Sequence, residues 1–305
     1  MRRFYIVLIT LATIACGTSE EQKRQQREAT RRVELQADSA ALKIAVMPTL
    51  DCLPLFVADS LGLFGQEGLD VRLRPYQAQM DADTAMLRGR VEAMVTDLVR
   101  AERMQRKGTA LRYATQTNLS WQLVTNPSAR LKRLEQLDDK MIAMTRYSAT
   151  ALLADHAVDS AKLKAERVFK IQVNDVGVRL NMLENGILDA LLLPEPQATQ
   201  ARQLNSAVLM DTRQMDCRYG VIAFSEKVLK SAERQQQMST FLKVYDMACD
   251  SINEQGSGAF SPLIVKHCGV SAETVDSLPA DLRYNHATPP RQVDIDRAKA
   301  WLKYK

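Results

Sequence analysis

Met86-Leu-Arg-Gly-Arg-Val-Glu-Ala93 reads as a helix end, a turn and the opening of a strand. The amphipathic stretch before it stops at Gly89, which takes the left-handed cap conformation with no Cβ to clash. An apolar β-type run starts at Val91. Further along, Leu183-Glu-Asn-Gly-Ile-Leu-Asp-Ala190 repeats the order: apolar residue, two others, glycine, one other, apolar residue, acid, alanine. Two copies of one helix–strand joint predict two α/β lobes built to the same plan.

Working outward from these joints, short β-type runs alternate with helical patterns. Leu42–Met47, Val71–Leu73, Val91–Thr96, Gln122–Thr125, Met141–Thr145, Phe169–Val173, Leu188–Leu193 and Val221–Phe224 read as strands. Helical periodicity fills 54–64, 79–88, 97–107, 148–160, 176–185 and 196–204. This alternation predicts helices covering mainly parallel sheets. The last third turns helical: Met238, Phe241, Leu242, Tyr245, Cys249 and Ile252 share one face, and Gly256 supplies the stop. Val293, Ala300 and Trp301 mark a final docked helix.

The N-terminus is of another kind. Arg2 and Arg3 precede an apolar run, Phe4 to Ala15, that is too short for the ~20 residues of a membrane span and reads as an export signal over residues 1–15. Thr13-Ile14-Ala15-Cys16 resembles a bacterial lipobox, with Thr13 where leucine is usual; on that reading Cys16 is lipidated and anchors the chain. An ordinary secretory signal beside a chance cysteine is the alternative. Both place the mature chain outside the cytoplasm. Residues 16–40 are rich in Glu, Gln and Arg without an apolar period, the composition of a tether. The folded part begins near Leu42.

Composition is that of a globular protein: 305 residues, 46% hydrophobic and 25% charged. The formal net charge of +5 loses two units with Arg2 and Arg3, which is too mild a balance to argue for nucleic acid. Setting Cys16 aside, Cys52, Cys217, Cys249 and Cys268 remain, and an oxidising compartment permits three pairings. A Cys249–Cys268 bridge would clip a helical hairpin around Gly256-Ser257-Gly258 and contribute roughly 3 kcal/mol. Two buried thiols are the other reading, because Cys249 lies on the apolar stripe.

Gly62-Leu-Phe-Gly-Gln-Glu-Gly-Leu-Asp-Val71 is similar to a phrase near the start of solute-binding proteins of ABC importers. It resembles the branch that takes nitrate, aliphatic sulfonates, taurine and thiamine-pyrimidine precursors. The two glycine joints and Leu193-Pro-Glu-Pro196 fit that family in order and spacing, so the likeness spans Leu42 to about Phe224. It implies the two-lobed type II periplasmic-binding-protein fold, each lobe a mainly parallel sheet flanked by helices, with hinge crossovers. Residues 41–125 and 217–305 would form lobe I, and residues 126–216 lobe II. It implies a monomeric, lipid-anchored binding subunit that captures a small nutrient and delivers it to an inner-membrane ABC permease. An enzyme on the same fold, acting on a small aromatic precursor, is the alternative.

Ligands of open α/β sheets sit at the carboxyl ends of strands, beside helix N-termini. Three such junctions supply candidates. After the first strand, Asp51 either caps the helix at Pro54 or reaches a ligand amine, while Cys52 is a ligand contact, a disulfide partner or buried. After the third, Thr96 and Asp97 follow Val95, with Asp97 suited to an N-cap. Entering lobe II, Ser148 and Thr150 match the hydroxyls that the family uses on polar or anionic ligands. Arg146 and Tyr147 depart from its small residues; they offer a bidentate grip on an oxyanion and a ring to stack on. Asn174, Asp175 and Glu195 follow later strands, and Glu195 either faces the cleft or caps the next helix. An acid-lined pocket would favour a heteroaromatic or amine-bearing nutrient, then a sulfonate or carboxylate, then nitrate.

Other chemistries find little support. His156, His267 and His286 are scattered and there is no CxxC pair, so no metal or cofactor is expected. No Gly-x-Ser-x-Gly elbow or Ser-x-x-Lys pair marks a hydrolase.

Overall fold

The strands that decide the architecture belong to a computed structural model that describes residues 20–305. The export signal over 1–15 and the lipidation of Cys16 lie outside the described residues. Helix α1, Glu20–Ala40, belongs to a unit of its own that ends at Ala41. The polar segment expected to be a tether is thus helical here. Its Glu, Gln, Lys and Arg residues are good helix formers. Exposed pairs, Lys23 with Glu20 at 3.0 Å and Arg24 with Glu28 at 3.1 Å, add about 0.2–0.5 kcal/mol each.

Residues 42–305 form the second unit. Its strands are β1 (Leu42–Val46), β2 (Val71–Pro75), β3 (Ala93–Asp97), β4 (Leu111–Gln116), β5 (Trp121–Thr125), β6 (Lys140–Met144), β7 (Val168–Gln172), β8 (Ala190–Pro194), β9 (Val208–Asp211) and β10 (Gly220–Ser225). Between and after them lie α2 (Leu53–Ser60), α3 (Leu63–Gln66), α4 (Gln79–Leu87), α5 (Leu98–Arg106), α6 (Ala149–Ser160), α7 (Val176–Glu184) and α8 (Gln197–Gln203). The helical C-terminal part adds α9 (Ala232–Gln255), α10 (Ser261–Cys268), α11 (Ala272–Asp276) and α12 (Gln292–Leu302).

The ten strands make two five-stranded sheets with the same plan, β2-β1-β3-β10-β4 and β7-β6-β8-β5-β9. In the first, β1 pairs in parallel with β2 and β3, and β10 runs antiparallel between β3 and β4. The second repeats this with β6 beside β7 and β8, and β5 reversed between β8 and β9. Four strands of each sheet therefore share a direction and one opposes them. The reversed strand is in each case the first that the chain makes on passing from the other sheet. Residues 117–120 carry it from the first sheet to the second, and residues 212–219 carry it back.

Both glycine joints behave as their spacing requires. Gly89 and Gly186 take φ of 65° and 67° between α4 and β3 and between α7 and β8. At the start of β10 the need is different. A Cβ on Gly220 would collide with Thr117 Oγ1 and Leu119 Cβ, so only glycine lets β10 pass the first crossing this closely.

Apolar packing holds the plan together. One core gathers β1, β3 and β10 with α2, α4, α9 and α10 around Ile44, Phe56, Phe224 and Phe241. A second is shared between the sheets' elements: Leu98 and Val99 of α5 pack with Trp121, Ile142 and Leu153, and with Ile295 and Ala298 of α12. The four cysteines from Cys52 onward are free and buried. The Cys249–Cys268 bridge is therefore not formed. Cys249 sits on the buried stripe of α9 beside Tyr245, and Cys268 ends α10 near Asp51, so each thiol is taken into apolar packing.

Candidate ligand cleft

The carboxyl ends of β1, β3 and β8, the start of β5 and the entries to α4, α6 and α7 converge on one narrow cavity. Thr49, Asp51, Thr96, Trp121, Thr150, Asn174 and Arg179 are among its walls. It measures about 20 Å³, room for about one water. The two sheets thus meet over a shut cleft, and anything larger enters only if they part.

The first sheet brings carboxylates. Asp51 is 2% exposed and lies in a short 3-10 turn, so it does not cap α2 as one sequence reading had it. Thr49 Oγ1 donates to its Oδ1 at 2.5 Å and Thr117 Oγ1 to its Oδ2 at 3.2 Å. Burial outweighs these bonds and pushes its pKa up to about 6. Cys52 stays off the cavity wall. Its buried sulfur accepts from Met47 N–H at 3.3 Å, and burial lifts the thiol well above its usual range.

Asp97 does more than its expected capping. Its Oδ1 accepts from Arg100 N–H at 3.0 Å, closing the first turn of α5, and from Ala149 N–H of α6 at 3.0 Å. One carboxylate oxygen thereby caps two helices that belong to different sheets. Its Oδ2 is buried without a partner among the described residues, and the same holds for Thr96 Oγ1 next to it. Burial lifts the Asp97 pKa to about 6, against the pull of Arg100.

The second sheet brings hydroxyls and a cation. Ser148 caps α6 by accepting from Thr150 N–H at 3.1 Å, and Thr150 Oγ1 accepts from Thr145 N–H at 2.9 Å. Asn174 lines the cavity, and Asp175 caps α7 through Val178 N–H at 3.0 Å. Arg146 and Tyr147 are exposed and off the wall. Tyr147 takes φ of 54° and lies under the Arg103 guanidinium at 4.1 Å. Glu195 also points elsewhere: it accepts from Thr199 N–H at 3.0 Å and pairs with Arg202 at 3.0 Å, so the capping alternative is the one found.

Arg179 was not anticipated. It is 2% exposed and lines the cavity, yet makes no ion pair among the described residues. Its guanidinium instead donates to Val173 O at 2.7 Å, to Leu192 O at 2.8 Å and to Thr145 Oγ1. Burial lowers its pKa to about 10. A signal did exist: Arg179 falls on the Val176, Leu180, Leu183 stripe of α7, where a charge at a core position asks for a reason.

Further bonds hold the cleft shut. Leu50 N–H donates to Glu195 O at 2.9 Å, and Gln197 Nε2 donates to Pro48 O at 2.8 Å and Cys268 O at 3.1 Å. Among the described residues no group of three His, Cys, Asp or Glu side chains could hold a metal ion. Thr96 Oγ1, unpartnered on this wall among the described residues, leaves the cavity able to hydrogen-bond a small polar molecule.

Known proteins offer a clear likeness. The family model described as NMT1/THI5-like matches residues 49–256. Among solved structures, the ligand-binding component of an ABC-type import system from Staphylococcus aureus, with zinc bound, is 15% identical at a TM-score of 0.72, covering 87% of this chain and 91% of that one. The periplasmic aliphatic sulphonate-binding protein SsuA from Escherichia coli is 16% identical at 0.70, covering 87% of each chain. The periplasmic nitrate-binding protein NrtA from Synechocystis is 12% identical at 0.66, covering 82% of this chain and 74% of that one. At such identities the likeness is one of fold. Comparison with curated proteins finds no match.

Proposed function

The chain belongs to the NMT1/THI5-like family, and from that premise we propose that it is the solute-binding subunit of an ABC importer, working outside the cytoplasm. It captures a small polar or heteroaromatic nutrient between its two lobes and presents it to a membrane permease, without covalent chemistry. The fold's likeness to sulfonate- and nitrate-binding proteins supports this reading. So do the export-type leader and the Cys16 position, which fit a monomer held at the membrane by lipid.

The ligand carries a hydrogen-bond donor, and an amine suits best. The observation that carries this is the buried carboxyl of Asp51 on the cavity wall, with the unpartnered Thr96 Oγ1 on the same wall. A buried hydroxyl left unpaired costs about 1–3 kcal/mol, which a polar ligand group recovers, and the Asp51 carboxyl beyond it favours a donor. Arg179 offsets part of the carboxylates' charge, and Thr150 and Asn174 complete the contact set. Of the sequence candidates, Asp51, Thr96, Thr150 and Asn174 are assigned to the ligand, while Asp97, Ser148 and Asp175 position the helices.

Native mass spectrometry of protein purified from its source tests this. The expected result is a co-purified amine- or hydroxyl-bearing molecule, with small-angle scattering showing closure when it is added back to stripped protein. A co-purified sulfonate would overturn the ligand class. Turnover of the bound molecule would overturn the binding role.

A further inference from the structure

The two crossings and the segment 281–285 line a second cavity, open on one side to solvent and about 230 Å³ in volume, more than ten times the volume left in the cleft. Its wall carries Arg213, Arg218 and Arg283 against the single carboxylate of Asp281. Arg213 is committed to Asp211, with bonds of 2.7–3.2 Å. Arg218 and Arg283 form no ion pair among the described residues. Each donates one bond to a neighbouring backbone carbonyl, Cys217 O at 3.1 Å and Leu282 O at 2.9 Å, and the other donors of each fork meet no protein acceptor there. Gln116, on the same wall, holds a buried Oε1 that no donor reaches among the described residues.

We propose that this cavity is a second ligand site, taking a compact carboxylate that also bears a hydroxyl or amine donor. Two guanidinium forks facing one space are suited to planar oxyanions, which they grip bidentately. The ligand's hydroxyl or amine would satisfy Gln116 Oε1, an acceptor that a bare anion leaves unpaired. The site is separate from the cleft but joined to it: Leu119 lines both, and Thr117, on the wall here, donates to Asp51 in the cleft at 3.2 Å. Its walls come from both crossings, and its present size belongs to the arrangement with the cleft shut. An occupant favours that arrangement to the extent that it binds it better than the open one.

Citrate, a hydroxycarboxylate, is the probe. Isothermal calorimetry on the full chain at low salt is expected to show a dissociation constant at or below about 1 mM. The double variant Arg218→Gln, Arg283→Gln changes two exposed side chains, so its urea midpoint should stay at that of the parent. Its citrate affinity is expected to fall at least about tenfold, as for loss of charge-assisted pairs. Absence of binding to the parent at about 10 mM citrate, or equal affinity in a normally folded double variant, would overturn the site. Neither result depends on what the cleft binds, so the two readings fail separately.

Discussion

The two sheets share strand order and glycine joints, yet they face each other with opposite chemistry. Lobe I presents Asp51 and holds Asp97 buried off the cavity wall, both carboxyls lifted to about 6 by burial. Lobe II presents Thr150, Asn174 and a buried guanidinium, Arg179, with its pKa lowered to about 10. The backbone plan is thus indifferent to what the strand tips carry, and the chemistry of the two halves differs in a few residues just past them. Asp97 shows how the halves complement each other: the helix N-terminus offered by one is capped by the acid of the other.

The comparison breaks most severely at Arg179. Replacing it with Leu strands Val173 O, Leu192 O and Thr145 Oγ1 without their donors, and urea unfolding should show a loss of about 3 kcal/mol or more. A loss below about 1 kcal/mol would mean the guanidinium does not tie β8 to α7. Gly220→Ala tests where the halves join. A methyl forced against Thr117 and Leu119 should destabilise by about 1–3 kcal/mol, read as a lower thermal midpoint.

Lobe I's acids sharpen the contrast through pH. Both carboxyls hold protons more tightly folded than unfolded, so the stability they confer is complete below about pH 4 and is lost as pH rises through about 6. Each carries on the order of 3 kcal/mol. Urea midpoints of ligand-free protein should fall across that window, and Asp97→Asn should flatten the slope by about half. Affinity for an amine should move the other way, rising as the acids ionise. The smallest effect is expected at Arg146. It is exposed and off the wall, so Arg146→Ala should leave stability within about 0.5 kcal/mol and ligand affinity within about twofold.

Much of the fold was legible because the buried strands announce themselves. Leu42–Val46 and Ala190–Pro194 are buried at every position, and their apolar runs stand out between helical periods. The strands β4 and β9 carry no such signal. Both are edge strands with partly exposed positions, and Leu111-Arg-Tyr-Ala-Thr-Gln116 shows neither alternation nor a continuous apolar run. The site was legible only where geometry is local. Asp97, Ser148 and Asp175 follow strands, and their caps could be anticipated from position alone. Whether Glu195 turns to the cleft or to Thr199 and Arg202 depends on a partner seven residues on and on side-chain direction. The role of Arg179 is not legible in the sequence because its acceptors, two carbonyls and a hydroxyl, are brought together only by the fold. The Cys249–Cys268 pairing was a matter of distance in space, which nineteen positions of sequence do not convey.

The placement of β10 has a consequence for how this molecule is made. When residue 219 leaves the ribosome, every strand of the second sheet exists, while the first still lacks the strand that separates β3 from β4. Until then β4 has no hydrogen-bonding neighbour and one flank of β3 lies bare. The half synthesised first is therefore the half completed last, and nascent chains should stay loosely assembled late into translation.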